Sequence, residues 1–328
     1  MKKSIFGNTG VSRLYFGWFF VLCLITFSAH SQTEPQSAQS EQVSLDLELA
    51  PLSVSIPSPS YAGLALSLVL PGGGQFYHGK PVLGGMFLAF EVSAGSFSAY
   101  WWDEYNRRKN LTGQYKDSAA VIKGSAKGDS ALMYRSGNYS VWADREAFET
   151  RQAKMTAYNS LAWMVGGHVF GVMHTLGASG IVTSSTEQRS PLRAGWLAAA
   201  PGLGLGQLYN GNSGKGGMLG AVQVSLLVSA YNQHRLLNDA SFRYNQMRDS
   251  TSSRYAYRAE HLSYWKGRYD NAFSTRNTYL WFALFTYIYS IFDAVVDAHL
   301  SDYPQKINIE PDLAAGPNEA ALRFSFRL

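Results

Sequence analysis

The 328-residue chain contains a single cysteine, Cys23. It falls within an N-terminal apolar run that reads as a removable segment. The mature chain then offers no disulfide, no thiol nucleophile and no cysteine metal ligand. Charge is scarce as well: Asp, Glu, Lys and Arg make up 16% of the residues, against roughly 25% in an ordinary soluble domain. With 14% aromatic residues in addition, such a chain has little with which to cover a water-facing surface. Basic residues are absent from 32–60, a stretch rich in Ser, Gln, Glu and Pro, which cannot bury enough apolar surface to fold alone.

What is present begins with a secretory pattern. Lys2, Lys3 and Arg13 precede the run "FGWFFVLCLITF" (Phe16–Phe27), and "SAHSQ" supplies Ala29 and Ser31 before a cut at Gln32. Residues 1–31 are read as a signal peptide, with an uncleaved anchor as the alternative. Leu22, just before Cys23, is not the small residue that a lipid-attachment site needs. Residues 32–60 form an acidic tether, although "VSLDLELAPLSVSI" alternates enough for a short strand.

The most distinctive feature is a phrase written twice. "GQFYHGKPVLGGMFLA" from Gly74 and "GQLYNGNSGKGGMLGA" from Gly206 are identical at eight of sixteen positions. Upstream, Pro71-Gly72 aligns with Pro201-Gly202 after a two-residue insertion, and "NSLAWMVGGHVFGVMH" from Asn159 echoes "NTYLWFALFTYIYSIF" from Asn277. Self-similarity of this extent points to duplication. Each proline ends a short apolar helix, and the glycines permit a tight turn. Gly84-Gly85 and Gly216-Gly217 let the next helix pack closely. Gln75 and Gln207 are expected to bond backbone exposed at the broken helix. Tyr77 and Tyr209 suit a water–lipid boundary, while Gly79 and Gly211 close each turn. Phosphate binding is excluded: "GNSGKGG" lacks the earlier glycine, and Lys215 is followed by Gly216 rather than Ser or Thr.

Four segments are long and apolar enough to be read as spans: Val82–Trp101, Tyr158–Val182, Gly214–Tyr231 and Asn277–Leu300. Ala62–Leu70 and Gly195–Ala200 are too short to cross and are read as half-helices. The expected fold is an all-α membrane protein built as a tandem repeat of helical hairpins. It has helical extramembrane segments and a short β tail suggested by "ALRFSFRL", which could pair with "LDLELAPLSVSI". The division is 61–182 for the first repeat, 183–194 for a linker, 195–300 for the second repeat and 301–328 for an external tail.

Charge orients this arrangement. Residues 103–157 hold ten Lys or Arg with seven acids, and residues 232–276 hold eight with four. Positive segments stay cytoplasmic, so the mature N-terminus and the tail fall outside the inner membrane. The net charge of +5 is thereby read as topology, and no nucleic-acid partner is expected. Tyr244, Tyr255, Tyr257, Tyr264, Trp265 and Tyr269, interleaved with arginines, are read as membrane-interface aromatics beside anionic lipid.

The most chemically pointed stretch is "YSIFDAVVDAHLSDY". Asp293 and Asp297 share one helix face; His299 points elsewhere, which argues against a metal. The pair is either held structurally, by arginines or broken-helix backbone, or forms an ion or proton site. Thr175 and Ser179 stand at the equivalent places of the first half. His168 and His174, on nearly opposite faces of one span, are read as packing residues.

"PGGGQFYHGK", "PGLGLGQLYNGNSGKGG", "IFDAVVDAHL" and "INIEPDLAAG" together resemble a Gram-negative envelope family known as domain of unknown function 5683. There is a more distant likeness to two-transmembrane-domain proteins. The resemblance implies a signal-bearing helical membrane protein and assigns no activity. The positions that match it are Pro201, Gly202, Gln207, Tyr209, Lys215, Asp293, Asp297 and His299.

The expected function is non-enzymatic: an inner-membrane scaffold or anchor for an envelope assembly, with no cofactor and no metal. Its partners would be membrane lipid and other envelope proteins, and a homo-oligomer is compatible with the packing. The alternative is a solute, ion or proton transporter built from a parallel repeat, with Asp293, Asp297, Glu91, Gln75 and Gln207 along the pathway.

Overall fold

The computed structural model describes residues 61–179, 189–249, 258–301, 308–316 and 319–327. The expected signal, the tether, the first half of the 183–194 linker and Tyr255 and Tyr257 lie outside the described residues. The elements in chain order are α1 (Tyr61–Val69), α2 (Gly73–Tyr77), α3 (Pro81–Ser125), α4 (Ser130–Ala178), α5 (Pro191–Ala198), α6 (Leu205–Tyr209), α7 (Ser213–Asp249), α8 (Arg258–Leu300), β1 (Asn308–Gly316) and β2 (Glu319–Arg327). Twice, two short helices precede two long ones.

Local chemistry sets the boundaries. Pro81 and Pro191 occupy first-turn positions, where the missing N–H costs nothing. Asp129 caps α4 by accepting from Ala131 N and Leu132 N, and Ser190 caps α5 by accepting from Arg193 N. Lys127 (φ 37°) and Gly128 (φ 94°) reverse the chain between α3 and α4.

The long helices have 45, 49, 37 and 43 residues, well beyond the roughly 20 that cross a bilayer. They pack in the order α3, α4, α7, α8, so that α4 and α7 are the inner pair. Two helices among the described residues, α3 and α8, are long and apolar enough to cross a membrane. The four-span expectation is therefore met by composition in two helices only. The reason lies in the inner pair, which carries small and polar residues where it packs. A Cβ on Gly217 would lie 2.5 Å from Met173, Ser225 Oγ donates to Ala162 O at 3.2 Å, and Asn232 Nδ2 donates to Asn159 Oδ1 at 2.6 Å. Close helix–helix approach replaces bulky apolar side chains there.

The basic segments are continuations of the long helices and form a stalk with its own core. Phe148, Met155, Leu236, Leu237, Ala240, Trp265 and Ala272 cluster between α4, α7 and α8. Phe148 and Trp265 meet edge to face at 5.4 Å. The Tyr264 hydroxyl donates to Glu149 at 2.6 Å, and Arg268 pairs with the same carboxylate. Burial, with Glu149 beside it, pushes the Tyr264 hydroxyl well above its ordinary value. Burial and then Arg145 hold the His261 imidazole below its own. Tyr244, Tyr264 and Tyr269 pack against this cluster and Trp265 is 2% exposed. These residues are thus stalk core, not lipid-interface aromatics as the arginine-rich pattern suggested. Three helices converging on them could not be read from one segment. Trp265→Ala should cost about 3–5 kcal/mol. Hydrogen exchange should show loss of protection in the stalk parts of α4 and α7, with the α1–α2 turn unchanged.

In the tail, β1 pairs antiparallel with β2, from Asn308 opposite Arg327 to Gly316 opposite Glu319. Only Pro317 and Asn318 separate the strands in sequence, a spacing typical of hairpins. The tail therefore pairs with itself, and the segment proposed as its partner lies outside the described residues.

Candidate functional site at the glycine turns

Each turn is built on a glycine in the left-handed region that caps a five-residue helix. Gly72 has φ 73° before α2, and Gly204 has φ 57° before α6. A Cβ on Gly72 would sit 2.2 Å from Gly84 O, and one on Gly204 would sit 2.2 Å from Gly216 O. The structure thus pairs Gly72 with Gly204, not with Gly202, which adds a left-handed residue of its own (φ 79°). Gly79 (φ 70°) and Gly211 (φ 74°) close the two turns. Gly84, Gly216 and Gly217 are crowded as expected, but a Cβ on Gly85 would meet nothing within 4 Å. Pro71 and Pro201 follow the ends of α1 and α5.

The short helices run alongside the long ones and come back. In α1, Gly63 lies against His78, while Leu68 O reaches His168 Nε2 at 3.3 Å. In the second half, Tyr287 OH donates to Ala199 O at 3.1 Å, and Gly202 N donates to Gln223 Oε1 at 2.5 Å. Gln223 lies about 15 Å along α7 from Ser213, at about 1.5 Å per residue. Ala62–Leu70 and Gly195–Ala200 are therefore the descending arms of two hairpins that dip and return.

Glutamine anchors both hairpins. Gln75 Nε2 donates to Gly171 O and Gln207 Nε2 to Ser290 O, each at 2.8 Å, and both residues are at most 1% exposed. In the first half, Ser67 Oγ and Thr175 Oγ1 are 2.7 Å apart, and Ser67 Oγ accepts from Gly74 N at 3.0 Å. In the second, a Cβ on Gly206 would press on Ala198 and Ala294, and Asn210 Nδ2 donates to Ala294 O at 2.7 Å. These contacts set the register between the halves: Thr175 stands where Ala294 does, and His174 and Ala178 face the places of Asp293 and Asp297. The sequence alignment, which put Thr175 and Ser179 there, is off by one residue. Tyr77 is 53% exposed, as a boundary residue would be. Tyr209 is half-buried, and its hydroxyl accepts from Ser190 N at 3.1 Å.

Among the described residues the aspartates meet a lysine, not arginines. Lys215, from the first turn of α7, places Nζ 3.1 Å from Asp293 Oδ1 and 2.8 Å from Asp297 Oδ2. Tyr289 OH donates to Asp293 Oδ1 at 3.3 Å, and Gln207 Nε2 lies 3.4 Å from Asp293 Oδ2. One cation thus sits between two carboxylates one helical turn apart, tying α8 to the second glycine turn. His299 is exposed and takes no part. Among the described residues no group of three or more His, Cys, Asp or Glu could hold a metal. Leu83 occupies the place of Lys215 in the first half, so the ion cluster belongs to the second alone.

The first half has a different polar pair that residue-type reasoning missed. His168 Nδ1 lies 3.2 and 3.1 Å from the two carboxylate oxygens of Glu91. Glu91 was visible as an acid interrupting a span and His168 as a lone intramembrane imidazole; the α3–α4 register that joins them was not. His168 is therefore not a packing residue. His174 is one, lying against the Phe87 and Phe170 rings.

The family comparison coincides with the half that carries the ion cluster. Residues 187–327 match the family of unknown function DUF5683. The DUF5683 segment opens just before α5 and takes in the second glycine turn, Lys215, Asp293, Asp297 and both tail strands. Neither the curated proteins nor the solved structures contain a match.

Proposed function

We propose that the chain is a non-enzymatic integral protein of the inner membrane, a duplicated pair of helical hairpins that scaffolds or anchors an envelope assembly. The observation that carries this reading is how the motif residues are used. Gln75 and Gln207 hold helix carbonyls, the glycines allow backbone contact, and Lys215 compensates Asp293 and Asp297. Each serves to seat a hairpin. Duplication is supported by matching contacts: Gln75 with Gln207, Gly72 on Gly84 with Gly204 on Gly216, and His168 on Leu68 O with Tyr287 on Ala199 O.

Membrane insertion is supported by the outward face of α8, where Trp281, Phe285 and Phe292 are 59%, 62% and 66% exposed. A patch of that kind suits lipid and would promote aggregation in water. With α3, α4, α7 and α8 as the four crossings, the hairpins dip about halfway into a hydrocarbon layer roughly 30 Å thick. Backbone at that depth has to be satisfied by protein, which is what the anchors do. The stalk then projects into the cytoplasm with its arginines, and the tail faces the periplasm, where it and the tether would contact envelope partners.

In-cell crosslinking tests this role. Deleting residues 32–60 or 301–328 should remove the crosslinked partners while leaving the protein in the membrane; an unchanged set of partners would contradict the scaffold role. The transport alternative keeps as its candidate pathway residues that are already engaged in these anchors. It requires proton or solute flux from reconstituted protein that is lost in the Asp293→Asn, Asp297→Asn double variant.

A further inference from the structure

The pair formed by Glu91 and His168 has a hydrogen-bond geometry from which a proton count can be inferred. His168 Nδ1 faces the Glu91 carboxylate at 3.1–3.2 Å, and Nε2 faces Leu68 O at 3.3 Å. Both ring nitrogens therefore meet oxygen atoms. A carbonyl cannot donate, so Nε2 must carry a hydrogen. A second proton then lies between Nδ1 and the carboxylate, on one or the other. The arrangement holds one proton more than a neutral imidazole beside an ionised carboxylate.

Removing that proton to solvent leaves one N–H to serve two acceptors. The hydrogen bond to the charged carboxylate is the stronger, so the remaining N–H sits at Nδ1 and the bond to Leu68 O is lost. Leu68 belongs to the last turn of α1, whose end carbonyls have no partner within the helix. We propose that Glu91 and His168 form a proton-binding site whose proton latches the α1–α2 hairpin against α3 and α4.

The surroundings isolate this site. Apart from the pair itself, the ionisable side chains on the apolar parts of the packed elements are Tyr61 on α1, Tyr77 and His78 at α2, Tyr100 on α3, Tyr158 and His174 on α4, and Lys215 and Tyr231 on α7; the further charged groups of α3, α4 and α7 lie in their stalk segments. The hydrogen bonds of His168 run to Glu91 and Leu68 and not to these. His168 keeps 30% side-chain exposure against 9% for Glu91. The second half carries a control. Gln223 and Tyr287 occupy the corresponding places, and Tyr287 makes the corresponding bond, to Ala199 O at 3.1 Å. An amide and a phenol do not titrate across the histidine range, so the second hairpin has no counterpart of this latch.

The test is hydrogen exchange on the full chain in lipid nanodiscs, read as the ratio of protection in 61–79 to that in 191–211. Taking the ratio cancels the intrinsic pH dependence of exchange. Between about pH 5 and about pH 9, which brackets the ordinary histidine range, the wild-type ratio should fall by about tenfold, as expected for one lost hydrogen bond. The double variant Glu91→Gln, His168→Tyr installs the chemistry of the second half and should give a flat ratio. Glu91→Gln alone should also be flat, because a glutamine amide can donate to Nδ1 and leave Nε2–H on Leu68; it serves if the double variant does not fold. A flat wild-type ratio would overturn the proposal, as would an unchanged fall in a folded variant. Partner crosslinking is a separate readout, so failure of the latch and failure of the scaffold role can be told apart.

Discussion

Gly204→Ala is expected to prevent the second hairpin from seating, at a cost above about 4 kcal/mol, a size reached by few single substitutions. Two penalties combine. The residue holds φ 57°, which costs an L-residue about 1–2 kcal/mol. Its new Cβ would also lie 2.2 Å from Gly216 O, a backbone atom that cannot rotate away. Gly79→Ala separates the terms: φ is 70° but nothing lies within 4 Å of the added carbon, so only the conformational cost of about 1–2 kcal/mol applies. Gly72→Ala should behave like Gly204→Ala, because the same 2.2 Å approach to Gly84 O recurs. Thermal unfolding of the detergent-solubilised proteins measures all three. Equal melting temperatures for Gly204→Ala and Gly79→Ala would show that the glycine-on-glycine approach contributes nothing.

The second large effect belongs to Lys215. Lys215→Met removes the cation from between Asp293 and Asp297, leaving like charges one helical turn apart at 11% and 24% side-chain exposure. Removing one partner of a buried pair costs about 3–5 kcal/mol; the residual exposure of Asp297 places the expectation near the lower end. The discriminating variant is Lys215→Met with Asp293→Asn and Asp297→Asn, which should regain most of the loss because no charge remains uncompensated. A thermodynamic cycle over these variants isolates the coupling. Lys215→Met without a measurable loss would mean that water, not Lys215, neutralises the aspartates.

The double glycine phrase is enough to indicate two equivalent turns, since repeated Gly, Gln and Tyr at fixed spacing have few other uses. Residue type pointed Gln75 and Gln207 at backbone, but at the groups exposed where the helix breaks; they bond instead Gly171 O and Ser290 O inside the continuous helices α4 and α8. What stayed hidden depended on register between distant helices. Sequence alignment set Asp293 opposite Thr175, whereas the contacts of Gly74 and Gly206 shift this by one residue. The same ignorance concealed Lys215 as the partner of the aspartates, since nothing local in "GNSGKGG" indicates which face of α8 it will meet. Trp265 failed for a related reason: an aromatic among arginines looks the same whether lipid or Phe148 covers it. Composition marks only two of the four expected spans, because inner helices use glycine and serine where outer helices use leucine and phenylalanine.

The proposed topology puts the connection before α5 and the stalk on opposite sides of a bilayer. It is tested directly by replacing Cys23, introducing single cysteines at Ser125 and Ser185, and labelling intact cells with a membrane-impermeant thiol reagent. Ser125 ends α3 at the tip of the stalk, and Ser185 lies in the short connection before α5. The account predicts labelling at 185 in intact cells and at 125 only after the membrane is permeabilised. Equal labelling of both positions in intact cells, or labelling of 125 alone, would contradict it.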